Sequence, residues 1–100
     1  MEIHTRKLLT IVTESVIEGR ITRDILDLGA NGYTIMDVRG KGSRGVRSAG
    51  WDASSNIRIE VVCELEVAKK IAAHLKEHYY ANFAMSLFLL DVGVWRPEKF

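Results

Sequence analysis

The residues best equipped for chemistry are concentrated in one stretch, Gly40 to Ser55, GKGSRGVRSAGWDASS. Lys41, Arg44 and Arg47 stand there among Gly40, Gly42, Gly45 and Gly50, with Ser43 and Ser48 between them. A guanidinium presents a planar fork that matches phosphate oxygens. Glycine lets successive backbone N–H groups converge on an anion, because positive φ costs it little, and serine adds hydroxyl donors. The composition suits a phosphate cradle, and it equally suits a plain solvated basic loop. Gly40, Gly42 and Gly45 fit G-x-G-x-x-G, but the segment leads toward another strand-like run, so the helix N-terminus of a dinucleotide site is missing. No GxxxxGK[ST] run is present. Trp51, in the same polar stretch, reads as a partner contact or a loop anchor.

Other reactive side chains are scattered. His74 and His78 are four apart in a helical pattern, a spacing that can hold a metal, but Glu77 is not next to the first histidine and HExxH is absent. A solvated helix face is the simpler reading. Ser43, Ser48, Asp52 and Glu60 are potential nucleophiles or acid–base groups, yet nothing in the sequence orients them into a constellation. The expectation is a protein that is not an enzyme.

The flanking elements are more sharply written. Lys7–Thr13, KLLTIVT, reads as a first strand. Thr13 or Ser15 offers an N-cap for a helix carrying Ile17, Ile21, Ile25 and Leu28 on one face, which Gly29 ends as a C-cap. Tyr33–Arg39 is a second strand. Asn56–Glu64 is a third, with Ile57, Ile59, Val61 and Cys63 alternating against Arg58, Glu60, Val62 and Glu64. Glu66–Tyr80 is a second helix with Ala68, Ile71, Ala72, Leu75 and Tyr79 as its apolar stripe. Phe83–Val94 is a fourth strand, and Pro97 keeps the tail from Trp95 to Phe100 from extending it. The order βαββαβ predicts an α+β, ferredoxin-like fold: a four-stranded antiparallel sheet with two helices on one face, over residues 1–100 as one domain with a flexible loop at about 40–55.

Leu8, Val12, Phe88, Leu90 and Val92 are more apolar surface than two short helices can cover. Burying the rest by self-association, with cyclic symmetry, is the expected solution. A formal net charge of +1 over 100 residues gives no bulk attraction to nucleic acid or an anionic membrane. Cys63 is the one cysteine, so it forms no internal disulfide. No apolar run has the length of a signal peptide or a membrane span, and a cytoplasmic location is expected.

The run Gly32 to Ser48, GYTIMDVRGKGSRGVRS, resembles the second strand and T-loop base of PII signalling proteins. Gly40–Ser48 is similar to the PII-like branch linked to inorganic-carbon uptake and carboxysomes. The opening KLLTIVTE and the element order agree with it. The resemblance implies a homotrimer whose sheets face the axis, and adenine-nucleotide binding in clefts between subunits. It implies Gly40, Lys41, Gly42, Ser43, Arg44 and Arg47 at the phosphates, and Gly32, Tyr33 and Thr34 beside the nucleotide. Arg96 and Lys99, in a tail like a shortened C-loop, would reach a phosphate from the adjacent subunit, or belong to a frayed terminus. The B-loop region, Tyr80–Ala84, lacks glycine and lysine, which favours ADP or AMP over ATP; cyclic AMP is used by some members. Bicarbonate is a candidate second ligand, and a membrane bicarbonate transporter or a carboxysome-related protein a candidate target.

Three alternatives share the fold: a CutA-like metal-tolerance trimer, an RRM-like RNA binder and an acylphosphatase-like enzyme. The RRM needs stacking aromatics on its third strand, where NIRIEVVC has none and presents Glu60 and Glu64, so no nucleic-acid partner is expected.

Overall fold

The computed structural model describes residues 1–40 and 55–100. Strand β1 (His4–Glu14) runs into a 3₁₀ turn (Ser15–Ile17) and helix α1 (Glu18–Asp27). Strands β2 (Thr34–Val38) and β3 (Asn56–Cys63), helix α2 (Leu65–Tyr79), strand β4 (Met85–Val94) and a 3₁₀ turn at Pro97–Lys99 complete the described chain. The strands form one antiparallel sheet in the order β2-β3-β1-β4. This is the ferredoxin-like arrangement expected from the period changes along the sequence.

Register explains which residues are core. Leu9 pairs with Val61 and Leu89, and Ile11 with Ile59 and Leu87. These odd-numbered positions face the helices. Ile11, Ile57, Ile59 and Val61 are fully buried there against Ile21, Ile25, Ile71 and Leu75. At roughly 25 cal/mol per Å² of apolar surface removed from water, this isoleucine-rich layer is the main source of stability.

The first helix does not begin as the sequence suggests. Neither Thr13 nor Ser15 caps it, and no side-chain cap is present at its start or at the preceding 3₁₀ turn. Thr13 instead donates its hydroxyl to the Ala84 carbonyl at 2.7 Å, and the Glu14 carboxylate accepts the Ala84 N–H at 2.7 Å. Both side chains are spent tying β1 to the entry of β4, and the chain enters α1 through the tighter turn. The helix ends as expected: Gly29 has φ +115°, Gly29 N–H reaches Leu26 O at 3.1 Å and Ala30 N–H reaches Ile25 O at 3.1 Å. This paired closure satisfies two carbonyls of the last turn and requires a left-handed residue at position 29.

The even-numbered positions form the open face. Leu8 lies between Val62 and Leu90, and Thr10 between Glu60 and Phe88. Phe88 and Leu90 are 43% and 54% exposed, while Thr10 beneath is fully buried with its hydroxyl unpaired. Arg58 lies over the Phe88 ring, 5.8 Å from its centroid, and its Nε donates to Glu60 at 3.2 Å. The surplus of apolar sheet surface expected from the sequence is therefore present on the described chain, with a charged pair at its centre.

Candidate functional site

The closure at Gly29 turns the chain directly into Asn31, Gly32 and Tyr33, which lead into β2. Thr34, the first residue of β2, pairs with Glu60 on the open face, and Val62 is the next open-face residue of β3. From the other side comes the tail. Pro97 starts a 3₁₀ turn in which Lys99 N–H bonds Arg96 O at 3.1 Å. Arg6 Nη2 donates to Pro97 O at 3.4 Å, and Asn31 Nδ2 donates to Lys99 O at 3.1 Å. The tail is thus folded onto its own chain.

These segments enclose a cleft of about 260 Å³, lined by Asn31–Thr34, Glu60, Val62, Lys99 and Phe100. Val62 and the rings of Tyr33 and Phe100 supply apolar wall. The Thr34 hydroxyl, the Asn31 amide, the Glu60 carboxylate and the Lys99 ammonium supply polar groups of both kinds. Glu60 is preset by Arg58, which is itself seated on Phe88. Such a mixture suits a flat heteroaromatic ring with polar edges better than a bare ion. The cleft sits on the open side of the sheet at the β2 edge, so a second protomer laid on the open face would stand beside it.

The structure therefore brings together Gly32, Tyr33, Thr34 and Lys99. Arg96 does not line the cleft; its side chain is 70% exposed and its Nε lies 3.5 Å from Glu98. Gly40 lies beyond the far end of β2 and is exposed. A second hollow of about 400 Å³ lies at that end, lined by Ser15, Asp37, Val38, Arg39, Ser55 and Asn56. Lys41, Gly42, Ser43, Arg44 and Arg47, with Trp51, fall outside the described residues. Sequence reasoning missed Asn31, Val62 and Phe100 and weighed Glu60 only as a stray acid. Strand alternation had put Glu60 and Val62 on the right face; the missing signal was the register that sets Thr34 opposite Glu60.

A second polar cluster departs from expectation. His74 is not part of a solvated face: its Nε2 lies 3.0 Å from Asp24 Oδ2, and Tyr79 donates its hydroxyl to the same oxygen at 2.6 Å. The carboxylate only accepts, so the His74 Nε2 is the protonated, donating nitrogen. Arg20 lies over the Tyr79 ring at 5.2 Å. Burial pushes the Asp24 carboxyl up, but the bonds from Tyr79 and His74 and the charges of His74 and Arg20 outweigh it and hold the carboxyl below its ordinary value. Burial, and then the bond to Asp24, push the Tyr79 phenol up. Among the described residues no group of three His, Cys, Asp or Glu is placed to hold a metal ion, and no helix is long and apolar enough to cross a membrane.

Comparison with known proteins agrees with the fold. Over its full length the chain is similar to a protein of Thermus thermophilus described as PII-like and signalling, with 43% identity, a TM-score of 0.85 and 99% of that chain covered. CPII of Thiomonas intermedia K12, solved with ADP and bicarbonate, is 25% identical with a TM-score of 0.85, over 99% of this chain and 97% of that one. CPII solved with ADP, AMP and acetate is also 25% identical, with a TM-score of 0.84, over 100% and 98%. The model of the family described as nitrogen regulatory protein P-II matches residues 6–99. Proteins of that family are regulatory and form trimers that act on target proteins. With its βαββαβ order, its open apolar sheet face and a match spanning nearly all its residues, this chain belongs to the P-II family.

Proposed function

We propose that this chain is a PII-like regulator that binds an adenine nucleotide, ADP or AMP in preference to ATP or cyclic AMP, in a cleft completed by a neighbouring protomer of a homotrimer. The observation that carries this reading is the position of the cleft. It lies on the open face, at the edge of apolar surface that a monomer would leave in water, and its walls mix apolar surface with polar groups of both signs. CPII, similar over nearly the whole chain, has been solved with ADP, AMP and bicarbonate, which supports the nucleotide class and makes bicarbonate the second ligand to try.

In this reading Gly32, Tyr33 and Thr34 flank the nucleoside, with Glu60 accepting a bond from a base or ribose donor. Lys99 stands over it in the same chain, and Arg96, exposed at the start of the tail, would exchange its Glu98 contact for a neighbour's phosphate. The basic residues Lys41, Arg44 and Arg47, with the Ser43 hydroxyl and the Gly40 and Gly42 backbone, take the phosphates, so that ligand occupancy selects one arrangement of the T-loop at about 40–55. The ligand shifts that equilibrium only by its differential affinity for the two arrangements. The readout is a cytoplasmic regulatory contact rather than catalysis, in inorganic-carbon uptake or carboxysome control, with a bicarbonate transporter or a carboxysome-related protein as target.

Calorimetry with ADP, AMP, ATP and cyclic AMP, each with and without bicarbonate, tests the reading. Binding of at least one adenine nucleotide is expected. It should be weakened at least tenfold by the Arg44→Ala, Arg47→Ala double variant, which stays assembled. Failure of all four nucleotides to bind would remove the sensor function. Binding unaltered by the double variant would take the phosphates away from this loop.

A further inference from the structure

The two helices carry a third hollow on the side of the molecule opposite the open face. Its volume is about 270 Å³ and its lining is Arg20, Arg23, Asp24, His74, His78 and Tyr79. Because it lies on the outer helical face, a copy of the chain covering the open sheet face leaves it in solvent.

The charge balance of this hollow is uneven. The one carboxylate within it, Asp24, already accepts from Tyr79 and His74 through the same oxygen, and Arg20 adds its charge nearby. Arg20 lies over the Tyr79 ring, its guanidinium carbon 5.2 Å from the ring centroid. Arg23, one position before Asp24 on α1, makes no hydrogen bond or ion pair among the described residues. The His78 ring is tilted against that of His74 with centroids 4.3 Å apart and is half exposed; its neighbour Glu77 is 3.9 Å from its Nε2. Two guanidinium groups and the His78 imidazole therefore line a hollow whose one carboxylate already takes two hydrogen bonds on Oδ2. A metal ion is the poorer occupant, because two permanent cations stand at the ligands. A planar fork beside a second fork is the arrangement that holds phosphate oxygens.

We propose that the α1–α2 hollow is a binding site for a phosphate-type dianion, free or as a phosphate monoester, held by Arg23 and Arg20 with His78 donating. Asp24, His74 and Tyr79 act as the frame that fixes Arg20 and the two histidine rings. The site is separate from the sheet-edge cleft and does not depend on any nucleotide there.

The test is side-chain NMR of the full chain, following the Arg23 Nε–Hε and His78 ring signals while inorganic phosphate is added at constant ionic strength. Phenyl phosphate forms a second arm and sodium chloride the control. The expected result is a saturable shift of both signals with phosphate and none with chloride, weakened at least tenfold in Arg23→Gln. Tighter binding of phenyl phosphate assigns the site to monoesters, and equal or weaker binding assigns it to the free ion; either supports the proposal. Arg23 is exposed, so the variant is expected to fold, and an unchanged backbone amide spectrum checks this; Arg23→Lys, which keeps the charge but not the fork, should fall between wild type and Arg23→Gln. The proposal is overturned if neither phosphate shifts the two signals saturably or if Arg23→Gln leaves the shift unchanged. A response confined to residues 40–55 would also overturn it.

Discussion

The two faces of this sheet are built from the same strands and treat apolar residues in opposite ways. On the covered face Ile11, Ile57 and Ile59 are fully buried under two helices. On the open face, Phe88 and Leu90, from positions alternating with Leu87 and Leu89 on β4, stand 43% and 54% exposed. The covered face is finished within one chain. The open face carries Leu8, Val62, Phe88 and Leu90 together with a fully buried threonine whose hydroxyl has no partner and an Arg58–Glu60 pair whose arginine lies over an aromatic ring. A sheet whose uncovered side carries this much apolar surface is made to meet another surface, and the cleft of Asn31–Thr34, Glu60 and Lys99 lies at the rim of that side.

Substitutions that tell the faces apart should act on different observables. Ile59→Ala, on the covered side of β3, should cost about 2–5 kcal/mol of folding stability, read as a lowered urea midpoint. Leu90→Asp, on the open side of β4, should abolish assembly while leaving the far-ultraviolet dichroism of each chain intact. Analytical ultracentrifugation reads the loss, and retention of the wild-type mass would show that the open face is not the interface. Asp24→Asn should cost about 1–2 kcal/mol, because it weakens a charge-assisted clasp between the helices. The sign with pH follows from the depressed Asp24 carboxyl. Its stabilising contribution is complete above the ordinary aspartate value of about 3.8 and is lost as pH falls through the lower folded value. Melting temperature followed downward from pH 5 should therefore fall more steeply in wild type than in Asp24→Asn. The smallest effect is Gly29→Ala. A Cβ there would sit at an ordinary 3.5 Å from Val67, so only the left-handed backbone opposes it, at a cost of about 1 kcal/mol in thermal unfolding.

Most of the architecture could be read from periodicity, because burial on a sheet face or helix stripe imposes a repeat that residues such as Ile57, Ile59 and Val61 display openly. The excess on β1 and β4 was legible for the same reason. What periodicity cannot show is pairing across the chain. Thr13 looked like a helix cap and instead, with Glu14 beside it, holds Ala84, 71 and 70 positions away. His74 looked solvated because its partner Asp24 is 50 positions distant. The cleft divides in the same manner. Gly32–Thr34 came from a local motif and Lys99 from a terminal one, whereas Glu60 and Phe100 join them only through register and through the fold of the tail.

The tail also has an optical consequence. Trp95 stands between the last residue of β4 and the 3₁₀ turn, 58% exposed, and Phe100 at the other end of that turn touches the cleft. On the proposed function, a ring that displaced Phe100 would disturb the turn and with it the solvation of the indole. With Trp51 replaced by Phe, Trp95 is the only indole in the chain, and the colour of its emission becomes a label-free gauge of whether the cleft is filled.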